Sequence, residues 1–257
     1  MAKTLCIIIN WNAAADTNLL VEQVWKTTNA HIALIDNGST DQSKEQLMAA
    51  CSRLQAVNWQ SQFECMSERL QLISSATNDG FAKAINKVIR CVLPNTYDFI
   101  WLLNNDALPE EKALVHLEDC LLQQKDLGFA GSVIMDYEQR NKIQCCAVRY
   151  HPFFAVSKLQ FKNQQWDDAK DYISNDKHIF QHGASLLVRY SMLEQLGLLD
   201  ERFFLYAEEH DWQVRATKLG FGNALVVKSK VYHKGSMSTA NAHHLFYYYY
   251  NSDIFFV

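Results

Sequence analysis

Short apolar runs alternate with helical segments over the first half of the chain, and this alternation is the strongest constraint on its fold. The runs LCIIIN and HIALID are rich in β-branched residues and each ends abruptly in polar residues. Apolar residues recur at helical spacing between them: Leu19, Leu20, Val24 and Trp25. The pattern continues through QSKEQLMAACSRL, LQLISS, GFAKAINKVIRCVL, DFIWLLNNDA and EEKALVHLEDCLLQQ. It predicts an α/β fold in which a mostly parallel sheet is flanked by helices.

The pattern changes beyond about residue 135, where the segments become shorter and less regular. The stretch AVRYHPFFAVSKLQFKNQQW predicts a small antiparallel extension. A chain of 257 residues with 49% hydrophobic residues can bury one large core, and its 3 prolines and 9 glycines form no flexible linker. We therefore expect a single domain.

Charge and composition exclude several classes of protein. A formal net charge of -4 without runs of lysine or arginine argues against a nucleic-acid partner. The apolar run in MAKTLCIIINWN is too short to span a bilayer and favours a buried first strand. Seven cysteines, an odd number, suit a reducing compartment, so we expect a cytoplasmic location.

The aromatic segment LFYYYYNSDIFFV at the end of the sequence leaves two interpretations open. It is either a final element docked on the core or an interfacial surface that makes peripheral contact with the inner face of a membrane, because tyrosine and phenylalanine rings suit both settings.

Polar clusters follow two of the predicted strands, in IDNGSTD and in LLNNDA. In open α/β sheets, ligands bind beyond the carboxyl ends of the strands, so these clusters are candidates for a binding site. The dinucleotide motif GxGxxG and the phosphate-loop motif GxxxxGK are both absent from the sequence, which argues against those two kinds of nucleotide site.

Seven segments together resemble family 2 nucleotide-sugar glycosyltransferases, in particular the rhamnosyltransferase-like branch. They occur in the family's order: IIINWN, LIDNGSTD, TNDGFAKAIN, WLLNNDA, GASLLVR, LGLLDERFFLYAEEHDWQVRATKLGF and VYHKGSMS. The resemblance implies a GT-A fold and an inverting transfer of one sugar from a nucleotide diphosphate to an acceptor hydroxyl. It divides residues 1–257 into a nucleotide-sugar half (1–107), an acceptor-side half (108–240) and the aromatic segment (241–257).

The resemblance assigns a divalent metal site to NNDA and VYHKG. Asp106 occupies the position of the family's metal-binding DxD motif, and His233 matches its late metal-site histidine. A carboxylate suits Mg²⁺ or Mn²⁺, which would hold the diphosphate. Asn104 and Asn105 stand where many relatives carry the first carboxylate, so we expect the diphosphate to complete the coordination. The alternatives are a simple turn at NNDA and a structural histidine.

The resemblance also identifies the catalytic base. The stretch EEHD aligns with the family's acidic pair, whose second member is the base, which here is Glu209. Glu208 is expected to orient the acceptor or a donor group. Asp211 stands four residues before Arg215 and is expected to pair with it on a helix. Trp212 is either core or an acceptor platform, and a solvated helix start without chemistry is the alternative for the acidic pair.

Further positions match the family's donor site. Residues of the first two strand ends are expected to hold base and ribose, and the NDGFAKAIN segment to approach the phosphates through Gly80 and Lys83. The expected donor-binding residues are Asn10, Asn12, Asp36, Asn78, Gly80, Lys83, Asn105 and Asp106, with Trp11, Asn37, Gly38 and Asn86 beside them. A surface lysine is the alternative for Lys83. His182 and Gly183 are expected to border the donor sugar, whereas Arg189 and Asp200 are equally consistent with structural roles.

The resemblance implies a rhamnosyl or other hexosyl transfer, with deoxythymidine diphosphate rhamnose as the first donor expected and UDP-sugars close behind. The acceptor would be a saccharide or lipid-linked glycan in polysaccharide or lipopolysaccharide synthesis. Two alternatives remain at this point: a nucleotide-sugar-binding relative without turnover, and a nucleotidyltransferase on a similar sheet.

Overall fold

The computed structural model describes most of the chain: residues 2–54, 58–60, 68–92, 94, 96–151, 156–173 and 179–235. The aromatic segment at 241–257 lies outside these residues, so both interpretations of it stay predictions. None of the helices in the described ranges is both long and apolar enough to cross a lipid bilayer.

The described residues form 13 β-strands. In chain order the strands are β1 Thr4–Asn10, β2 His31–Asn37, β3 Asn58–Gln60, β4 Leu70–Ser75, β5 Phe99–Leu103, β6 Ala107–Pro109, β7 Leu127–Asp136, β8 Ile143–Cys145, β9 Val148–His151, β10 Val156–Leu159, β11 Ile179–Phe180, β12 Ser185–Arg189 and β13 Gly222–His233. Ten of them form one sheet in the order β3-β4-β2-β1-β5-β12-β7-β13-β6, with β8 added beside β7.

Seven α-helices connect or follow these strands in the described part of the chain. They are α1 Ala14–Thr27, α2 Ser43–Arg53, α3 Phe81–Cys91, α4 Ala113–Gln123, α5 Trp166–Ala169, α6 Leu193–Leu196 and α7 Glu208–Lys218. Helix α3 illustrates why these segments are helical: Ala82, Ile85 and Ile89 lie on one buried face, whereas Lys83 and Lys87 lie on the exposed one. The predicted mixed α/β fold with a mostly parallel sheet is confirmed.

Strand β12 runs antiparallel between β5 and β7, in the middle of an otherwise mostly parallel sheet. Its Leu186, Leu187 and Val188 are all fully buried, as expected of a strand covered on both faces. The sequence predicted only an antiparallel extension beyond residue 135, so the return of β12 and β13 to the main sheet is a difference. Because register between distant strands depends on tertiary pairing, local periodicity does not reveal it.

A chain of buried hydroxyl groups fixes the centre of the sheet. Trp101 on β5 donates its indole N–H to Ser185 Oγ at 3.0 Å, and Ser132 Oγ lies 2.8 Å from both Ser185 Oγ and Ser229 Oγ. Ser229 in turn donates to the carbonyl of Ala113 at the start of α4. The hydroxyls therefore tie β5, β12, β7 and β13 together and satisfy one another away from water.

The predicted small antiparallel extension is also present. Strands β10, β9 and β11 form a separate three-stranded antiparallel sheet. It leads through β11 directly into residues 181–184, which precede β12 and lie next to the candidate site. The three-stranded sheet therefore fixes the position in space at which residues 181–184 begin.

Candidate active site

Strands β1, β2, β5 and β13 all end at the same edge of the sheet, because β1, β2 and β5 are parallel and β13 follows the same direction through β7 and β12. Their last residues are Asn10, Asn37, Leu103 and His233. This edge is where α/β sheets bind ligands. It carries most of the residues that the sequence singled out.

A chain of polar side chains links the first two strand ends to the NNDA segment. The Nδ2 of Asn10 donates to Asp36 Oδ1 at 3.0 Å, and its Oδ1 accepts from the Thr17 hydroxyl at 2.7 Å. Asn105 Nδ2 donates to the same hydroxyl at 3.0 Å. Asn10, Asp36 and Thr17 are buried, so this chain of contacts holds both the second strand and Asn105 in fixed positions.

Asn12 and Ser39 shape the loop that follows β2. Asn12 has a left-handed backbone with φ of 52°, and its Oδ1 accepts the Thr40 N–H at 2.8 Å. Ser39 donates to Asp36 Oδ1 at 2.5 Å and accepts the Asn12 N–H at 3.0 Å. These contacts give Asn12 a role in shaping the loop, and they leave its predicted contact with the donor untested.

Asn37 connects this loop to the start of α3. Its Nδ2 donates to Asn78 Oδ1 at 2.9 Å, and Asn78 Oδ1 also accepts the Gly80 N–H at 3.0 Å. Gly80 has a φ of 79°, and a Cβ at this position would lie 2.5 Å from the Phe204 carbonyl oxygen. Glycine is therefore required here both by conformation and by the close approach of the loop before α7.

Lys83 and Asn86, one turn apart on α3, have different environments. Lys83 is about half exposed, and its Nζ lies 3.7 Å from Asp79 Oδ1, while Lys87 also pairs with Asp79. Asn86 is buried and exchanges two hydrogen bonds with the backbone of Leu199, at 2.8 and 3.1 Å. Asn86 therefore anchors the loop that leads to α7, and the predicted phosphate role of Lys83 stays a prediction.

Asp106 and His233 form a close pair at the sheet edge. The Oδ1 of Asp106 lies 3.2 Å from Nε2 of His233, and both side chains are largely buried. Burial pushes the pKa of Asp106 upward, but the contact with His233 and the positive charges of His233 and Lys234 outweigh it, so the pKa lies below its usual value. The Asp106 carboxylate is therefore ionised at neutral pH.

Gln144 determines which nitrogen of His233 faces Asp106. Gln144 Nε2 donates to the His233 carbonyl at 3.0 Å, which leaves its Oε1 facing His233 Nδ1 at 2.7 Å. Since Oε1 only accepts, Nδ1 carries a proton. Nε2 therefore donates to the Asp106 carboxylate when His233 is charged, and it offers a lone pair on the same side when a divalent cation takes the place of that proton. The Oδ1 of Asp106 and a deprotonated Nε2 of His233 together favour a shared cation. A histidine that binds a metal commonly donates its other ring N–H in this way.

The pair is nevertheless a small ligand set. In the described ranges no three His, Cys, Asp or Glu side chains are close enough together to hold a metal ion. Asn104 Nδ2 lies 3.5 Å from His233 Nε2, at the position of the missing first carboxylate. The residues present thus fit a divalent cation that takes its remaining ligands from a bound diphosphate and water.

Two left-handed residues introduce helix α7. Tyr206 and Ala207 have φ of 72° and 70°, a conformation that costs non-glycine residues energy and is concentrated at functional sites. Glu208 follows and is only 3% exposed, and its Oε2 has no hydrogen-bond partner among the described residues. Burial and the neighbouring Glu209 raise the pKa of Glu208 well above its usual range. This shift favours the neutral form of Glu208, which reduces the repulsion among the acidic residues at the helix start.

Glu209 lies against the backbone of Gly183. A Cβ built on Gly183 would meet Glu209 Oε1 at 2.9 Å and Cγ at 3.2 Å. Gln213, one turn along α7, accepts the Gln181 N–H at 2.7 Å and donates to the Gln181 carbonyl at 2.9 Å and to the Glu209 carbonyl at 3.0 Å. Gln213 therefore fixes α7 to residues 181–183 and so holds Glu209 over Gly183.

His182 connects Glu209 with the Asp106–His233 pair. Its ring lies edge-on to that of His233 with centroids 6.0 Å apart, and its Nδ1 accepts the Ala184 N–H at 3.0 Å, which leaves the proton on Nε2. Burial lowers the pKa of His182 to about 4, although the charges of Glu209 and Asp106 oppose that shift. His182 contacts His233 and Gly183 contacts Glu209. The Cα atoms of two adjacent residues are about 3.8 Å apart. The predicted base and the predicted metal pair therefore both contact the segment formed by residues 182 and 183.

Several candidates from the sequence are structural. Arg215 Nε donates to Asp211 Oδ2 at 2.8 Å, so the predicted pair on α7 is confirmed. Trp212 is fully buried and donates to the Gly197 carbonyl at 3.0 Å, which excludes the acceptor platform. Arg189 donates to three backbone carbonyls, and Asp200 caps the Arg202 N–H at 3.0 Å.

Sequence reasoning missed Thr17, Ser39, Gln144 and Gln213. Each is a neutral polar residue that contacts a predicted site residue. Thr17 contacts Asn105, Ser39 contacts Asn12 and Gln144 contacts His233 from 88, 27 and 89 positions away, whereas Gln213 contacts Glu209 within one helical turn. Spacing alone carries no signal for such partners. The one available hint was Gln213 at i+4 from Glu209, on the same face of the helix.

Comparison with known proteins identifies the family. The family model described as glycosyltransferase like family 2 matches residues 4–245. The dTDP-rhamnosyl transferase RfbF of Shigella flexneri is 20% identical over 232 residues, which cover 88% of this chain and 67% of that protein.

Solved structures share the fold. A mannosyltransferase of Pyrobaculum calidifontis, solved with GDP-mannose and Mn²⁺, has a TM-score of 0.63 at 14% identity over 91% of this chain. GalNAc-T7, solved with UDP, GalNAc and Mn²⁺, has a TM-score of 0.66 at 12% identity over 91% of this chain. The chain spans 57% and 44% of the lengths of these two proteins.

The family model covers nearly the whole chain, and the fold agrees with it. The resemblance of the seven sequence segments to family 2 glycosyltransferases is thereby confirmed, including the GT-A fold. The chain belongs to the glycosyltransferase like family 2, the class of enzymes that use nucleotide sugars as donors.

Proposed function

We propose that this chain catalyses an inverting transfer of a hexosyl group from a nucleotide diphosphate sugar to an acceptor hydroxyl. The observation that carries the proposal is the pair of contacts made by His182 and Gly183. One residue touches His233 of the metal pair and the next touches Glu209. A direct displacement needs a base on one side of the sugar and charge neutralisation at the leaving diphosphate on the other, within the span of one sugar.

Glu209 is the proposed catalytic base. Its carboxylate would accept the proton of the acceptor hydroxyl as the oxygen attacks the anomeric carbon. Its position is supported by Gln213, which bonds to the Glu209 carbonyl, and by the absence of a side chain at Gly183. Burial and the neighbouring Glu209 raise the pKa of Glu208 well above its usual range, which favours its protonated form and so reduces the negative charge next to the base.

Asp106 Oδ1 and His233 Nε2 are the proposed protein ligands of a divalent cation. When bound, Mg²⁺ or Mn²⁺ supplies Lewis-acid stabilisation of the departing diphosphate. The protonated Nδ1 of His233, held by Gln144, keeps Nε2 available. The Mn²⁺ in the two structural neighbours supports a divalent metal without distinguishing Mn²⁺ from Mg²⁺.

The nucleotide is proposed to bind along the polar edge formed by Asn10, Asn12, Asp36, Asn78 and Gly80, beside Asn105. The first two strand ends would hold base and ribose, and the glycine at the start of α3 would let the backbone approach the phosphates. The preferred donor is dTDP-rhamnose, because RfbF is described as a dTDP-rhamnosyl transferase. UDP-sugars follow, since one structural neighbour binds UDP.

The proposed acceptor is a saccharide or lipid-linked glycan, with the reaction on the cytoplasmic side of polysaccharide or lipopolysaccharide assembly. A binding protein without turnover is the alternative, because Asn104 replaces the first metal carboxylate and Glu209 stands where many relatives carry aspartate. A nucleotidyltransferase is less consistent with the site, since that chemistry would leave Glu209 without a role.

Thermal-shift screening tests donor binding. The wild-type protein would be measured with dTDP-rhamnose, UDP-sugars and GDP-mannose, each with Mn²⁺ and with EDTA. A donor at 100 times its Kd stabilises a folded protein by about 2.7 kcal/mol, so a true donor raises the Tm clearly. Assays of product formation with saccharide acceptors then separate the enzyme from an inactive relative, which would bind the donor without transfer or hydrolysis.

Asp106→Ala tests the metal assignment in the same screen. Removing the carboxylate should abolish the extra stabilisation that Mn²⁺ gives to the donor complex, whereas Asp136→Ala, at the end of the neighbouring strand β7, should leave it intact. Mn²⁺-enhanced donor binding that survives in Asp106→Ala would contradict the proposed ligand.

A further inference from the structure

Lys234, the residue directly after His233, lies beside the proposed metal site. Its backbone N–H donates to the Asp106 carbonyl at 3.1 Å, which fixes the residue next to Asp106. Its Nζ lies 2.5 Å from Asp16 Oδ1 and 4.7 Å from the centre of the Tyr137 ring. Lys234 is therefore a cation held at the sheet edge by one carboxylate and one aromatic ring.

A small cavity of about 10 Å³ opens at this position. Its lining includes Asn105 and Asp106 from the NNDA segment, Asp16 from α1, Tyr137 and Lys234. Both partners of the ion pair remain partly exposed, with 26% of the Lys234 side chain and 21% of the Asp16 side chain accessible. Lys234 thus lines the same cavity as Asp106.

With a divalent cation at Asp106, the charges that line this cavity favour the binding of a diphosphate. In the free protein, Asp16 and Asp106 contribute two carboxylates and Lys234 one cation. The position that many relatives fill with a further carboxylate is Asn104, which is neutral. A divalent cation at Asp106 would make the cavity net positive, with Lys234 contributing the part of that charge which does not depend on metal.

We propose that Lys234 binds the diphosphate of the nucleotide sugar directly, exchanging Asp16 for phosphate oxygens when the donor enters. This inference rests on the proposed function. A diphosphate carries more negative charge than one carboxylate, and lysine binds phosphate as a mobile point charge on a flexible stem. Asp16 then pairs with Lys234 only while the donor is absent. Lys234 supplies positive charge for the diphosphate at a site where NNDA provides a single carboxylate to bind the metal.

The alternative role for Lys234 is purely structural, tying the end of β13 to α1. The two roles predict different behaviour of the two partners. If the ion pair only stabilises the fold, Lys234→Met and Asp16→Asn remove the same interaction and have the same effect on binding. If Lys234 binds diphosphate, Asp16→Asn frees the lysine whereas Lys234→Met removes it.

Lys230 provides a matched control on the same strand. Its Nζ lies 4.0 Å from Glu110 Oε1 and 4.3 Å from the centre of the Trp166 ring, so it has the same combination of a carboxylate and an aromatic ring. It does not line the cavity at Asp106. Lys230→Met therefore reports the general effect of removing a paired lysine from β13.

The experiment measures binding of dTDP, UDP, dTMP and UMP by calorimetry in EDTA and in Mn²⁺, for wild type and the three variants. We expect Lys234→Met to weaken the preferred diphosphate at least about tenfold in EDTA and to change the matching monophosphate less than about threefold. Asp16→Asn should bind the diphosphate as tightly as wild type or more tightly, and Lys230→Met should match wild type. Thermal unfolding and Lys234→Arg, which should retain binding, control for misfolding.

Three results would overturn this inference while leaving the proposed function intact. They are an unchanged diphosphate affinity in Lys234→Met, equal weakening by Lys234→Met and Asp16→Asn, and equal weakening of monophosphate and diphosphate. A wild-type protein that binds neither diphosphate, with or without Mn²⁺, would instead overturn the proposed function and this inference with it.

Discussion

The carboxylate of Glu209 rests on the backbone of Gly183, so close that a methyl group on Gly183 would lie 2.9 Å from Glu209 Oε1. This contact joins helix α7 to the segment that precedes β12, and it sets the position of the proposed base. The residue before Gly183 contacts His233, so the same short segment sets the distance from base to metal pair.

Gly183→Ala should displace the Glu209 side chain and lower kcat by about 10- to 100-fold, since small misplacements of a reacting group have effects of this size. Donor binding should change little, and steady-state kinetics with a separate measurement of donor affinity would check this. Gly197→Ala is the control: its φ of 75° strains the backbone, but nothing lies within 4 Å. It should lose about 1 kcal/mol of stability and keep its kcat. Equal kcat values in the two variants would contradict the role of Gly183.

Gln213→Leu removes three hydrogen bonds. Two of them fix α7 to the backbone of Gln181, and the third is made to the Glu209 carbonyl within α7. Because the Gln181 backbone groups are buried, the free energy of unfolding should fall by about 1–3 kcal/mol. If Gln213 positions the base, kcat should fall as well while the donor Kd stays the same. Thr217→Ala, which removes a single bond to the Gln213 carbonyl on the exposed side of α7, should affect neither. A loss of stability with an unchanged kcat would make Gln213 structural only.

Glu208→Gln should make the protein more stable at neutral and alkaline pH. Burial raises the pKa of Glu208 in the folded protein, so the folded state binds more protons than the unfolded state above the ordinary glutamate pKa of 4.5. Wild-type stability should therefore fall as the pH rises from that value to the raised pKa, by at most about 1.4 kcal/mol per pH unit. Glutamine removes this fall.

Denaturant unfolding at pH 4, 6 and 8 would measure the effect of Glu208→Gln. The stability gain over wild type should be smallest at pH 4 and grow with pH. Glu194→Gln, at an exposed position on α6, should show no such trend. A gain that does not depend on pH would mean that Glu208 is not a buried neutral acid.

The sequence predicted those parts of the molecule that depend on local pattern. Strands β1, β2, β4 and β5 appear as apolar runs, and their polar ends share one edge because parallel strands end together. The Asp211–Arg215 pair follows from helical spacing alone. The motif order brought Asp106 and His233 into one hypothesis, although they are 127 positions apart in the chain.

Features that depend on tertiary packing were not predictable in this way. The burial of Glu208 depends on what covers the start of α7, and nothing in EEHD distinguishes a buried glutamate from an exposed one. The insertion of β12 between β5 and β7 depends on pairing among strands far apart in sequence. Nothing in the sequence distinguishes Thr17 and Gln144 from other polar residues, because their contacts with Asn10 and His233 exist only in the folded protein.

The central claim is that Glu209 is the base of a sugar transfer at a site it shares with Asp106 and His233. The direct measurement compares wild type with Glu209→Gln, using the nucleotide sugar that most raises the wild-type Tm. We expect the donor Kd to change less than about threefold and turnover to fall by about 10²- to 10⁴-fold, the usual contribution of a general base. Turnover equal to that of wild type, with the donor still bound, would contradict the account.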